Sequence, residues 1–153
     1  RPPRKLVSLH MGGDDLIVLN AKMQHKYKQI EENEVLYEEY MMDDAEIMIT
    51  AFGTVARVCK SAIMELREKG VKIGLLRPKT LWPFPKDIIN SYAKKVKLIL
   101  DVEMNEGQMA QDVKASIDNK VQFELLTKLG GDIIKAGDVV KKVMELNIYA
   151  GIN

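Results

Sequence analysis

The sequence predicts an α/β fold, a mostly parallel sheet covered by helices on both faces. Three observations carry that reading. Short apolar runs recur between Ile47 and Leu126. Longer segments between them repeat their apolar residues at helical spacing. Turns bearing glycine or proline punctuate the alternation. Strands alternating with helices imply right-handed crossovers, which set the strands parallel and place helices on both faces.

Residues 1–13 read as an extended linker between domains. The chain opens Arg1-Pro2-Pro3-Arg4 rather than with Met, as expected of a piece of a longer or processed polypeptide. Residues 14–42 read as one long amphipathic helix or two in series, entered through a flexible Gly12-Gly13 and capped by Asp14 or Asp15. Leu16, Leu19, Met23, Tyr27, Ile30, Tyr37 and Met41 form its narrow apolar stripe. Such a stripe suits a helix lying across a surface or pairing with another.

Residues 43–153 form the α/β domain. Ile47 to Phe52 is its first strand. Thr54 to Lys69 is a helix with Val55, Val58, Ala62, Ile63 and Leu66 inward and Gly70 as its stop. Val71 to Leu76 is the second strand, and Pro85 opens a helix over 86–95 carrying Ile88, Ile89, Tyr92 and Ala93. Val96 to Val102 is the third strand, Gly107 to Ile117 a helix, and Val121 to Leu126 the fourth strand. Asp138 to Leu146 is the last helix, with Val139, Val140, Val143 and Met144 inward.

Composition narrows the function. Of 153 residues, 46% are hydrophobic and 29% charged, which suits a globular domain with a sizeable core. The net charge of +1 leaves no footprint for nucleic acid or a membrane surface. No apolar run approaches a membrane span, and no signal peptide is evident. The single cysteine, Cys59, fits a reducing cytoplasm and reads as a buried, inert thiol. An iron–sulfur cluster held by this chain alone is excluded, because clusters need several thiolates. His10 and His25 lack zinc-site spacing.

Three specialised turns follow the first three strands, where α/β proteins place their sites. In the first, Phe52-Gly53-Thr54, a lone glycine is too little for a phosphate loop, so Thr54 is expected as an N-cap. The second runs from Arg77 to Pro85. Arg77, Trp82 and Phe84 are residue types that anchor interfaces, stiffened here by prolines. The alternative of equal weight is that Trp82 and Phe84 plug the core. The third offers Glu103, Asn105 and Gln108. Glu103 lacks a recognisable catalytic partner, so it is expected to cap backbone donors or to pair with Arg77. No nucleophile–base pair or metal set accompanies these turns. Paired glycines at Gly130-Gly131 allow a positive φ after the fourth strand.

The ordered set Tyr37-Glu38-Glu39-Tyr40-Met41, Asp43-Asp44-Ala45-Glu46, Ala51 to Arg57, Arg77 to Pro85, Val102 to Met109 and Gly130-Gly131 resembles the 2-oxoacid:ferredoxin oxidoreductases. It is similar to the C-terminal domain of their α subunit in the 2-ketoisovalerate and 2-oxoglutarate branches. The resemblance implies a fold like the transketolase C-terminal domain, three α/β/α layers with five strands, one of them an antiparallel edge strand. Four strands are evident, and the fifth is expected either at Leu6-Val7-Ser8-Leu9 or outside this fragment.

For the whole complex the resemblance implies oxidative decarboxylation of 2-oxoacids to acyl-CoA, with electrons passed to ferredoxin. Thiamine diphosphate, magnesium, iron–sulfur clusters and coenzyme A are implied there, in other domains and subunits, and none on this fragment. The fragment is accordingly expected to be a non-catalytic domain contacting other subunits, cytoplasmic, with self-association open. It carries interface candidates Arg77, Trp82, Phe84, Glu103, Asn105 and Gln108, and no catalytic, cofactor-binding or metal residue. A second reading is a small-molecule or nucleotide-binding regulatory module using the same turns.

Overall fold

The computed structural model describes residues 3, 12–118 and 120–150, without the side chains of 147–150. Two compact units divide the chain, Arg1–Glu34 and Val35–Asn153.

The first unit contributes helix α1, Gly13–Asn33. Its N-cap is Gly12, without a side-chain cap, and not Asp14 or Asp15. Those two acids lie in the first turn instead, where they favour the positive end of the helix dipole. No residue of α1 is buried. The helix stops at Asn33, well short of 42, and the Glu34 N–H closes on Ile30 O.

The second unit is a five-stranded sheet between two layers of helices. Its elements are β1 (Tyr37–Tyr40), β2 (Ile47–Thr50), α2 (Gly53–Glu68), β3 (Ile73–Pro78), α3 (Lys86–Ala93), β4 (Leu98–Glu103), α4 (Gln108–Ser116), β5 (Gln122–Thr127) and α5 (Ala136–Ala150). The strand order is β1-β3-β2-β4-β5. All neighbours are parallel except β1 and β3. The antiparallel edge strand is therefore Tyr37–Tyr40, which the helical stripe had claimed. The earlier candidate, residues 6–9, lies outside the described residues.

Alternation along the strands divides the core. Ile47, Ile49, Ile73, Leu75, Leu98, Leu100 and Val102 face α2 and α5. Met48, Leu76 and Ile99 face α3 and α4. Burying both faces requires near-continuous apolar strands, and β2 and β4 are buried at every position. The helix faces match the expected stripes, with Val55, Ala62, Ile63 and Leu66 of α2 and Val139, Val140 and Val143 of α5 inside.

The β1–β2 connection passes so close to β3 that it requires a glycine. A Cβ at Gly74 would sit 2.4 Å from Met41 O and 2.6 Å from Met42 Sδ. Arg67 of α2 holds the same connection, donating to Met41 O at 2.7 Å and Ile73 O at 2.8 Å and pairing with Asp44 at 2.7 Å.

Candidate functional site at the carboxyl end of the sheet

The parallel strands deliver the three specialised turns to one end of the sheet. The β2 turn leads into α2, whose N-cap is Phe52 and carries no side-chain cap. Thr54 is exposed inside the helix, so the expected N-cap role is not its own. Gly53 takes φ +58° where the chain reverses into the helix.

The β3–α3 turn is rigid. Leu36, just before β1, accepts from Lys79 N at 2.9 Å and Thr80 N at 3.1 Å. Its own N–H donates to Thr80 Oγ1 at 3.0 Å, and that hydroxyl donates to Pro83 O at 2.9 Å. The turn separates the two aromatics. Phe84 is 7% exposed and packs with Leu76, Ile89 and Met109 in the α3/α4 core, whereas Trp82 is 55% exposed. Phe84 thus plugs the core and does not present a surface anchor. Leu36, Leu81, Trp82 and Met104 are exposed at this end of the sheet.

Arg77 does not pair with Glu103. The two lie on strands separated by β2 and on opposite faces of the sheet. Arg77 sits opposite Glu38 in the β1/β3 register, and its Nη1 meets Glu38 Oε2 at 3.2 Å. Lys60 of α2 also pairs with Glu38. The Lys60 hydrogen bond, more than the Arg77 contact, holds the Glu38 carboxyl below its ordinary range against the opposing effect of burial. Reading residues 37–40 as helix hid this carboxylate from the sequence.

In the β4 turn, Asn105 Oδ1 accepts from Gly107 N at 2.8 Å and Gln108 N at 3.3 Å. Gly107 sits at φ +86° against Leu125, and Gln108 is exposed. Glu103 is fully buried and caps α4, accepting from Met109 N at 3.0 Å and Ala110 N at 2.9 Å. Burial raises its carboxyl, but the neighbouring Asp101 side chain and these two amides outweigh burial and leave it lowered. The helix N-terminus that would attract an external anion already holds one from its own chain.

Two further polar residues, Asp101 and Thr50, went unmarked in the sequence. Asp101, two positions before Glu103 and on the same face, is 0% exposed. It accepts a hydrogen bond from Thr50 of β2, its register neighbour. The available signal was an acid inside the apolar run Leu98 to Val102. Cys59 is buried, and its thiol is pushed up to about 12 by desolvation, with a contribution from Asp101.

Among the described residues no group of three or more His, Cys, Asp or Glu side chains is placed to hold a metal ion. No described helix is long and apolar enough to cross a membrane.

Comparisons with known proteins agree with this architecture. Residues 45–139 match the family model of pyruvate:ferredoxin oxidoreductase core domain II. The chain is 42% identical over 141 residues to ketoisovalerate oxidoreductase subunit VorB of Methanothermobacter marburgensis, covering 92% of this chain and 40% of that protein. It is 35% identical over 102 residues to 2-oxoglutarate synthase subunit KorA of the same organism, covering 67% and 27%. It thus spans less than half the length of these relatives. Among solved structures it resembles 2-oxoglutarate:ferredoxin oxidoreductase from Magnetococcus marinus, with a TM-score of 0.77 and 21% identity over 89% of this chain and 24% of that one. An inactive tetramer of a split-gene transketolase gives a TM-score of 0.58 at 15% identity over 71% and 40%. Those two likenesses establish the three-layer, transketolase-like fold. With more than half its length in the domain II match, the chain belongs to the pyruvate:ferredoxin oxidoreductase family and is a partial domain of such an oxidoreductase subunit.

Proposed function

We propose that this chain is a non-catalytic domain of a 2-ketoisovalerate-type oxidoreductase subunit and organises the complex through its carboxyl-end turns. One observation carries the reading. The acids at this end serve the fold, Glu103 on the α4 amides and Asp101 on Thr50. The rigid turn beside them meanwhile exposes Leu81 and Trp82 together with Leu36. Apolar side chains on a rigid loop lose little entropy when a partner covers them.

In the whole protein, 2-oxoacids are decarboxylated oxidatively to acyl-CoA, with thiamine diphosphate, magnesium and iron–sulfur clusters held by other domains and subunits and ferredoxin as acceptor. The similarity to VorB favours a branched 2-oxoacid. A single cysteine, buried and unpaired, supports a cytoplasmic location.

The test uses the complete complex. Trp82→Ala is expected to weaken subunit assembly at least tenfold while the unfolding midpoint of the chain changes little. Unchanged assembly overturns the docking role of this turn. The chain without partner subunits is expected not to reduce a viologen dye with 2-oxoacids, coenzyme A and thiamine diphosphate, and turnover there refutes the non-catalytic assignment. The uncapped N-terminus of α2 is the feature that favours the regulatory alternative. A saturable thermal shift with a nucleotide, abolished by substitution at Thr54 or Arg57, would establish that alternative.

A further inference from the structure

Asp101 and Glu103 are two acids buried side by side in a strand, with no basic partner in hydrogen-bond contact among the described residues. Their surroundings differ. Glu103 receives two backbone N–H donors from α4. Asp101 receives one hydroxyl donor, Thr50 Oγ1, on Oδ1, while Oδ2 is buried without a donor among the described residues. Two neighbouring carboxyls in a low-dielectric site do not both ionise, and the one with fewer donors keeps the proton. As a carboxylate, Oδ2 is orphaned. As a carboxylic acid, it is itself a donor, and Glu103 is the acceptor beside it.

We propose that Asp101 is protonated in the folded protein and donates its proton to a hydrogen bond with Glu103, making the pair a pH-sensitive latch that holds the N-terminus of α4 and turn 104–107 on the sheet. The groups facing the pair agree with this assignment. From β2 the neighbour is Thr50, and from β5 the register partners are Leu125 and Thr127, all uncharged. Lys114 of α4 favours the charged form of Asp101, but it is the smallest of the contributions, and its ammonium lies over the Phe123 ring at 4.8 Å. Cys59 of α2, behind the sheet, keeps its proton. Desolvation first, and the Glu103 hydrogen bond second, push the Asp101 carboxyl up to about 8 from 3.8.

The sign follows. A raised carboxyl binds its proton more tightly in the folded state. Its stabilisation is complete below about 3.8, falls as pH rises, and is lost through about 8. Above that, two adjacent charges repel, and the α4 N-terminus is the first part to loosen.

Asp101→Asn keeps the shape, accepts from Thr50 and donates to Glu103 without titrating. Unfolding of the full chain is compared with this variant from pH 5 to 9. The expected result is that between pH 5 and about 8 the wild-type folding constant falls by about tenfold per pH unit relative to the variant, as release of one proton requires, and that the difference levels off above that. The Asp101 carboxyl carbon should titrate far above the ordinary range by NMR, and amide exchange at Met109 and Ala110 should lose protection above pH 8, accelerating more steeply than the intrinsic pH dependence. In Glu103→Gln, the Asp101 titration should move down. Parallel stability curves for wild type and Asp101→Asn, or an Asp101 carboxyl titrating in the ordinary carboxylate range, would overturn the latch. The NMR titration decides the question even if a variant fails to fold.

Discussion

Single residues at the carboxyl end of this sheet are settled by what each polar atom finds within reach. Glu38 is the clearest case, gathering Lys60 from α2 and Arg77 from β3 on one carboxylate. Arg77 Nε is buried without a partner among the described residues, so losing the Glu38 contact would leave this guanidinium poorly compensated. Glu38→Ala and Arg77→Ala are each expected to lower stability by about 1–2 kcal/mol, discounted for partial exposure of the pair. A double-mutant cycle by denaturant titration should show coupling between these two and additivity between Arg77→Ala and Glu103→Ala. Coupling of Arg77 to Glu103 would contradict the sheet order. Because the Glu38 and Glu103 carboxyls are both lowered, their stabilisation is present above the ordinary glutamate value of 4.5 and disappears as pH falls through the folded values. Acid and alkaline limbs therefore have separate origins. Glu38→Gln should flatten the acid limb alone.

At the scale of elements, the β3–α3 turn shows one segment serving two ends. Its buried aromatic fastens α3 to the sheet, and its other aromatic stays exposed. Phe84→Ala is expected to cost about 3–4 kcal/mol through the cavity it leaves. Trp82→Ala is expected to cost under about 1 kcal/mol, as surface positions usually do. Comparable losses measured for the two would mean that Trp82 is core. The β1–β2 connection makes a second element-scale prediction. Gly74→Ala drives a methyl into Met41 O, a backbone atom fixed by Arg67, and is expected to cost about 2–3 kcal/mol. A neutral result by thermal unfolding would place the connection farther from β3 than the structure has it.

For the whole molecule, the two units are unequal in kind. Val35–Asn153 carries both core clusters, whereas α1 buries no residue. A chain beginning at Val35 is therefore expected to unfold cooperatively, with a midpoint within a few degrees of the intact chain. A collapse of cooperativity in calorimetry would show that the first unit is needed for the second to fold. Leu16, Ile17 and Val18 of α1 are exposed and add nothing to either core cluster.

The sequence by itself determined the parallel core. Continuous apolar runs such as Ile47 to Phe52 and Leu98 to Val102 are legible because burial on both faces leaves no room for polar residues. The helices of the crossovers were legible because one face must repeat at 3.6 residues. The ordered turns were enough to mark the family. Only the tertiary structure decided the rest. Tyr37–Tyr40 continues the spacing of α1, and its strand state comes from hydrogen bonds to β3, a partner more than 30 positions away. That pairing in turn decided that Arg77 meets Glu38 and not Glu103. Thr54 carries the signature of a cap, but Phe52 occupies the cap position. Trp82 and Phe84 have the same composition-level signal and opposite fates, because only a fixed turn decides which ring points into the core. Locally, Asp101 beside Glu103 is only an acid in an apolar run next to a prospective cap. It becomes a buried carboxyl pair only once Thr50 of β2 and the amides of α4 close over it.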